Sequence, residues 1–199
     1  MQTEEQDLAW ASLNTPLSVE ALKLFCQDIE RLYRINPMLE FNEWRETGEH
    51  HFVVSGKNTS HDSPLEFQYE LEVSELTDGF QVDYTNGLKS KTILKIETAP
   101  QGSKLTITDH YDGHSEEERK ARLDEVDKSL VIWANYLQQF IINWDKWSRF
   151  TIWRWYMRRV WQPMKPSGRR ITYMLLLISL VEVSLISLGA AIYFVEYVN

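Results

Sequence analysis

The feature that most constrains this chain is an apolar run near its C-terminal end, residues 171–195, which holds one acidic residue, Glu182, and no proline. As an α-helix the run would be about 37 Å long at roughly 1.5 Å per residue, and the hydrocarbon core of a bilayer is about 30 Å thick. The alternative, a buried helix of a soluble protein, would be expected to be shorter and to carry a polar stripe. We therefore predict that residues 171–196 form the one transmembrane helix of a single-pass protein.

The residues that flank this run predict its orientation. Basic residues precede it and none follows it, and basic residues favour the cytoplasmic side of a membrane. The first ten residues lack the basic region and the apolar stretch of a signal peptide. We expect a tail-anchored protein whose N-terminal domain lies on the cytoplasmic side. The basic residues concerned are Arg154, Arg158, Arg159, Lys165, Arg169 and Arg170.

Charge is divided unevenly along the chain. The formal net charge is −8, yet residues 145–199 hold eight Lys or Arg against three acidic residues, so residues 1–144 carry a net charge of −13. Phosphates would repel this acidic part, which argues against a nucleic-acid partner. The basic part suits anionic lipid headgroups. The single cysteine, Cys26, allows no internal disulfide and is interpreted as a core residue.

A segment rich in tryptophan and arginine, residues 146–170, joins the acidic part to the apolar run, and we call it the neck. Taken as a helix, it places apolar and aromatic side chains on one half and arginines on the other, as interfacial helices do. We predict that the neck lies in the membrane interface; the alternative is a helix packed on its own domain. The predicted interfacial residues are Trp153, Arg154, Trp155, Arg158, Arg159 and Trp161.

Glu182 falls near the middle of the predicted span. A charged side chain at that depth costs roughly 2.5–3.5 kcal/mol on insertion scales. We expect Glu182 to be protonated, to meet a polar group of another membrane protein, or to be tolerated alone in a long apolar helix.

Residues 1–145 have the pattern of one α+β domain. A short strand is predicted at 8–13, and an apolar face from Val19 to Tyr33 predicts a helix. Residues 39–111 then alternate apolar and polar residues between turn signals, which predicts about six antiparallel strands. Asn86–Gly87 is the residue pair typical of a two-residue hairpin turn.

A long helix is predicted after the strands, from residue 116 to residue 161. This stretch holds no glycine or proline, and its apolar residues recur three and four positions apart. Ser115 and Glu118 would form a capping box at its start. The helix would cover the sheet and then run toward the membrane; a coiled-coil seam is the alternative.

This order of elements, with the stretches 13–37 and 87–113, resembles the SRPBCC superfamily, the START-like or Bet v 1-like helix-grip proteins. The resemblance covers roughly residues 6–145 and implies a curved antiparallel sheet of about seven strands wrapped on a long C-terminal helix, with an apolar cavity between them. Members include polyketide cyclase-like proteins, lipid-transfer START domains and coenzyme-Q-binding chaperones. The resemblance therefore implies a hydrophobic ligand more than one fixed reaction.

If the domain is helix-grip, alternate strand residues and one face of the long helix should line the cavity. Asp109 is notable among them, because a carboxylate on an apolar face should be paired, protonated or in contact with a ligand. The alternative is a strand end already open to water. The predicted cavity residues are Phe67, Tyr69, Leu94, Ile96, Leu105, Ile107, Asp109, Tyr111, Leu130, Trp133 and Leu137.

The sequence holds no nucleophile motif, Gly-rich phosphate loop or Cys-rich metal site. The cluster Asp109, His110, Asp112 and His114 is better explained as a solvated turn than as a metal site. We expect no catalytic residue, no metal and no other cofactor, and the sequence leaves the question of enzymatic activity open.

Our leading hypothesis is a membrane-tethered module that binds an apolar ligand, such as a lipid, quinone or isoprenoid, between the sheet and the long helix. An open cavity without convergent polar groups would favour it. Its expected partners are membrane lipids, a hydrophobic small molecule and, through the transmembrane helix, another membrane protein. The second hypothesis is an accessory or assembly subunit of a membrane complex, which a sealed interior would favour. The third is a cyclase-like enzyme, which a paired acid and base in the cavity would favour.

Overall fold

The computed structural model describes residues 8–61, 63–111 and 128–197. By its internal contacts the chain forms two compact units, Met1–Pro163 and Met164–Asn199. The first unit holds a sheet with its helices, and the second holds one long helix.

The described strands form one antiparallel sheet of seven, β1 (Leu8–Thr15), β2 (Leu39–Gly48), β3 (His51–Asn58), β4 (Leu65–Leu76), β5 (Gly79–Thr85), β6 (Lys91–Ala99) and β7 (Gly102–His110). Their spatial order is β1-β7-β6-β5-β4-β3-β2. Strands β2 to β7 form a meander, and β1 closes the far edge by pairing with β7, Ala11 opposite Ile107. The strands form because apolar residues alternate with polar ones, so that one face of the sheet is buried.

The described helices of the first unit are α1 (Val19–Cys26), α2 (Ile29–Ile35), α3 (Leu130–Trp147), α4 (Thr151–Tyr156) and a π-helical segment (Met157–Trp161). Ser18 caps α1 and accepts from the Ala21 N–H at 3.2 Å. Asp28 caps α2 and accepts from the Arg31 N–H at 3.0 Å. This second cap explains why the apolar face predicted as one helix forms two.

Helix α3 packs on the sheet and completes the core. Leu137 and Ile141 of α3 are fully buried, in one cluster with Leu105 and Ile107 of β7. Burying one such side chain contributes about 1.5–3 kcal/mol. The α+β helix-grip architecture predicted for this region, a seven-stranded antiparallel sheet holding a long helix, is confirmed.

The predicted continuous helix to residue 161 is wrong at its far end. Helix α3 ends at Trp147, and Phe150 has extended backbone angles. This turn brings the Trp153 ring to 5.5 Å from the Trp144 ring and the Trp161 ring to 5.2 Å from the Phe140 ring. Aromatic burial thus offsets the interrupted helix. The predicted start of the helix, with its capping box at 115–118, lies outside the described residues.

The second unit contains helix α5 (Pro166–Tyr197), 32 residues long. By length and composition α5 could cross a membrane. The hydroxyls of Ser184 and Ser187 donate to the Leu180 and Val183 carbonyls at 2.7 and 2.8 Å. These serines are therefore satisfied within the helix, as hydroxyls in an apolar medium need to be.

Candidate functional site

A cavity of about 60 Å³ lies between α2 and the β2–β5 side of the sheet. One water needs about 10–15 Å³ of such space, whereas a cavity that holds benzene measures about 150 Å³. In this conformation the cavity therefore has room for water or for a small part of a ligand. Its lining residues are Tyr33, Leu39, Phe41, Val54, Asn58, Phe67, Tyr69, Leu71, Tyr84, Leu88, Lys89 and Tyr111.

One wall of the cavity is aromatic. The rings of Phe67 and Tyr69 stack at 5.2 Å, and Phe41 meets Phe67 edge-on at 5.7 Å. These rings share a wall because alternate residues of β4 point to one face of the sheet. The wall offers apolar and π contacts to a planar or aliphatic group.

The β5–β6 loop closes the cavity on another side. The predicted two-residue turn is instead the five-residue loop 86–90, in which Asn86 has the left-handed φ of 70° that the Asn-Gly pair favours. A Cβ on Gly87 would lie 2.7 Å from the Tyr69 ring, so the loop can approach this closely because it has a glycine there. Leu88 is 3% exposed and fills part of the space.

A buried ion pair and three hydroxyls form the polar end of the site. The Lys89 ammonium lies 2.8 Å from Asp109 Oδ2, and Asp109 is 1% exposed. The Thr92 hydroxyl donates to Asp109 Oδ1 at 2.6 Å. Tyr84 Oη lies 2.9 Å from Thr92 Oγ1, and the hydroxyls of Tyr33 and Tyr84 are hydrogen-bonded to each other. A continuous chain thus runs from a cavity-lining tyrosine to a paired carboxylate.

Burial sets the protonation state of the two phenols. It raises the pKa of Tyr33 to about 12 and the pKa of Tyr84 well above its ordinary value, and the nearby Lys89 ammonium opposes the rise only in part. Both groups therefore stay neutral near pH 7. They act as hydrogen-bonding groups and not as phenolate nucleophiles.

The predicted cavity residues separate into two places. Phe67, Tyr69 and Tyr111 line the cavity, and Asp109 lies directly behind it, joined to Lys89. The remaining seven are at most 5% exposed, fill the interface between the sheet and α3, and do not line this cavity: Leu94, Ile96, Leu105, Ile107, Leu130, Trp133 and Leu137.

The predicted cavity list missed nine of the twelve lining residues, and Thr92 behind the cavity as well. The missed residues that form the polar end are Tyr33, Tyr84, Lys89 and Thr92. Tyr33 and Tyr84 gave a usable signal, because each falls in an apolar pattern where a hydroxyl needs a buried partner. Lys89 gave none. Its partner, Asp109, is twenty positions away, and only the pairing of β6 with β7 brings the two together.

The neck is divided between a packed face and an exposed face. Trp153 and Trp161, two predicted interfacial residues, are half-buried against α3. The other four predicted interfacial residues, Arg154, Trp155, Arg158 and Arg159, are exposed. Ile152, which belongs to the apolar half of the predicted interfacial helix, is 83% exposed. The exposed face is therefore apolar and cationic together, although part of the neck packs on its own domain.

The residues that the structure describes offer neither a metal site nor a reactive thiol. Within residues 8–61, 63–111 and 128–197, no group of three or more His, Cys, Asp or Glu is placed to hold a metal ion. Asp112 and His114 of the predicted cluster lie outside these residues. Cys26 is fully buried, and burial raises the pKa of its thiol to about 12, so it is a core residue with little thiolate.

Comparison with known proteins places the fold. No family model matches the chain. No curated protein matches it either. The solved structure of TTHA0849 from Thermus thermophilus superposes with a TM-score of 0.52 at 12% identity, over 68% of this chain and 97% of that one.

Two further solved structures match with lower scores. The polyketide cyclase-like protein Cgl2372 from Corynebacterium glutamicum has a TM-score of 0.40 at 17% identity, over 72% of this chain and 96% of that one. Ara h 8.0201 has a TM-score of 0.38 at 12% identity, over 68% of this chain and 97% of its own. The strand order and the helix held by the sheet show that the first unit has the helix-grip fold.

Proposed function

We propose that this chain is a membrane-tethered module that binds the head or ring of an apolar ligand, such as a lipid, quinone or isoprenoid, in the cavity between α2 and the sheet. The observation that carries the proposal is the pairing of an aromatic wall, Phe41, Phe67 and Tyr69, with a polar end at Lys89. Ligand sites combine a largely apolar lining with a few placed polar groups.

The cavity volume limits which part of a ligand is held. Known ligand pockets measure about 300–1,000 Å³, well above the 60 Å³ found here. The head or ring would enter as the 86–90 loop moves Leu88 outward, and the apolar tail would remain outside. Leu88 is suited to this because it is a buried side chain carried by a loop and not by a strand.

The tether and the orientation rest on the two C-terminal elements. Helix α5 is long and apolar enough to cross a bilayer. The exposed neck arginines would bind anionic headgroups at about 1 kcal/mol each, and Trp155 would lie at the interface. The basic flank favours a cytoplasmic first unit. A reporter at the N-terminus should be protease-protected in intact cells, and cleavage from outside would overturn this orientation.

Photoreactive analogues test the cavity itself. The full chain in nanodiscs would be illuminated with diazirine derivatives of a fatty acid, a quinone and an isoprenoid, and the cross-linked peptides mapped by mass spectrometry. We expect labels from at least one analogue on β3, β4 or the 86–90 loop, reduced by Val54→Phe, which fills the cavity. Labels confined to α5 would overturn the cavity proposal.

A second candidate function is an accessory subunit of a membrane complex. The dense interface between the sheet and α3 favours it, since Leu94, Leu105 and Leu137 are fully buried and leave no space for cargo there. In that case Glu182 would pair with a polar group of the partner. Glu182→Leu should then release the chain from its complex, whereas under the leading proposal it should leave cavity labelling unchanged.

A further inference from the structure

The hydrogen-bond chain behind the cavity has a fixed direction. A hydroxyl carries one proton, and Thr92 donates its proton to Asp109 Oδ1. Thr92 Oγ1 must therefore accept the proton of the Tyr84 hydroxyl, 2.9 Å away. The Tyr84 oxygen must in turn accept the proton of Tyr33. Every proton of the chain thus points away from Tyr33 and toward Asp109.

The ion pair is what holds this direction. A carboxylate only accepts hydrogen bonds, and the Lys89 ammonium lies 2.8 Å from Asp109 Oδ2 while Thr92 donates to Oδ1, so Asp109 is the acceptor at the end of the chain. Asp109 is 1% exposed, so bulk solvent does not reach its oxygens. Tyr33 lies at the cavity end of these hydrogen bonds. Because its hydroxyl proton is already donated to Tyr84, its oxygen can only accept a hydrogen bond from a ligand.

From this polarity we infer that the cavity selects a ligand that carries a hydroxyl group and donates its proton to Tyr33 Oη. The inference rests on the proposed function and deepens it by naming the ligand's polar group. A carbonyl or ether oxygen could accept from the Lys89 ammonium but has no proton for Tyr33 Oη, so it would make one hydrogen bond fewer than a hydroxyl. A hydroxyl can also accept, so its oxygen suits the ammonium of Lys89 in the same cavity.

Asp109→Asn should reverse the direction of the hydrogen bonds that join position 109 to Tyr33. The Lys89 ammonium has only protons to offer, so the amide oxygen of the new side chain turns toward Lys89 and its NH₂ group turns toward Thr92. Thr92 then accepts from the amide and donates to Tyr84, and Tyr84 donates to Tyr33. The Tyr33 hydroxyl keeps its proton but now points it into the cavity. Toward a ligand, Tyr33 thus changes from a hydrogen-bond acceptor to a donor.

The test uses three small aromatic probes with the full chain in nanodiscs. Para-fluorophenol donates and accepts, para-fluoroacetophenone only accepts, and para-fluorotoluene does neither. Saturable binding is followed by fluorine NMR, with empty nanodiscs to correct for partitioning. In the unchanged chain we expect para-fluorophenol to bind on the order of fivefold tighter than either other probe, the factor that one neutral hydrogen bond supplies.

In the Asp109→Asn variant we expect the affinity for para-fluoroacetophenone to rise several-fold and to exceed the affinity for para-fluorotoluene. Thr92→Val removes the hydroxyl between Tyr84 and Asp109 and should abolish the preference for para-fluorophenol. The matched control Thr92→Ser should keep that preference. If Asp109→Asn fails to fold, this pair of variants tests the inference. Equal binding of the three probes by the unchanged chain would overturn this inference and leave the proposed function standing. No saturable binding of any probe would overturn both.

Discussion

The cavity predicts that one conservative change will have opposite effects at two buried valines. Val54 lines the cavity and is 1% exposed, whereas Val82 is fully buried in β5 and does not line it. The cavity measures about 60 Å³, so a single added methylene has room there. The methylene added by Val54→Ile enters that space, and we expect it to stabilise the fold by up to about 0.8 kcal/mol.

The same methylene has no room at Val82. Overpacking a dense core costs about 1–3 kcal/mol, so Val82→Ile should destabilise the fold by that amount. The free energy of unfolding would be measured for both variants of the full chain by denaturant titration in one detergent, with tryptophan fluorescence as the signal. Because the two substitutions are chemically identical, the difference between their effects on the free energy of unfolding reports only the space available at each position. Equal destabilisation by both would refute the cavity.

Three further predictions concern other parts of the chain. In a chain truncated after residue 163, charge reversal of the exposed neck arginines Arg154, Arg158 and Arg159 should weaken binding to anionic vesicles by about 1 kcal/mol each. The control Arg45→Glu on β2 should leave binding unchanged. Vesicle sedimentation would measure both. The fully buried Cys26 should react with a thiol reagent far more slowly than a Ser12→Cys variant, and equal rates would contradict its burial. Because burial raises the pKa of Tyr33 to about 12 while an unfolded tyrosine ionises near 10, the unfolded state loses its proton first; stability should fall between these pH values, and Tyr33→Phe should flatten that fall in denaturant titrations.

Periodicity predicted the fold because the core of this domain is simple. Alternation in LEFQYELEV identified β4, and the apolar residues of α3 identified the helix that the sheet holds. The errors lie at element ends. Asp28 can cap a helix or lie within one, and only the packing of α2 under α3 decides between the two. The turn after Trp147 likewise depends on aromatic contacts that a linear pattern does not reveal.

The candidate site was less predictable because its residues are joined across strands. The sequence identified Asp109 as a carboxylate on an apolar face, and the structure supplies its partner, Lys89. The direction of the chain through Thr92 depends on a cross-strand pair, Thr92 opposite Asp109, that follows from register. Register is set by the whole sheet, so no local motif could have given this arrangement.

Mass spectrometry of the molecules retained after gentle purification from membranes tests the central proposal most directly. The full chain and its Val54→Phe variant would be extracted with the same mild detergent, and the bound small molecules compared. We predict that the unchanged chain retains a hydroxyl-bearing apolar molecule in near-stoichiometric amount and that the variant loses it. Identical retained molecules in both samples, or none in either, would contradict ligand binding in this cavity.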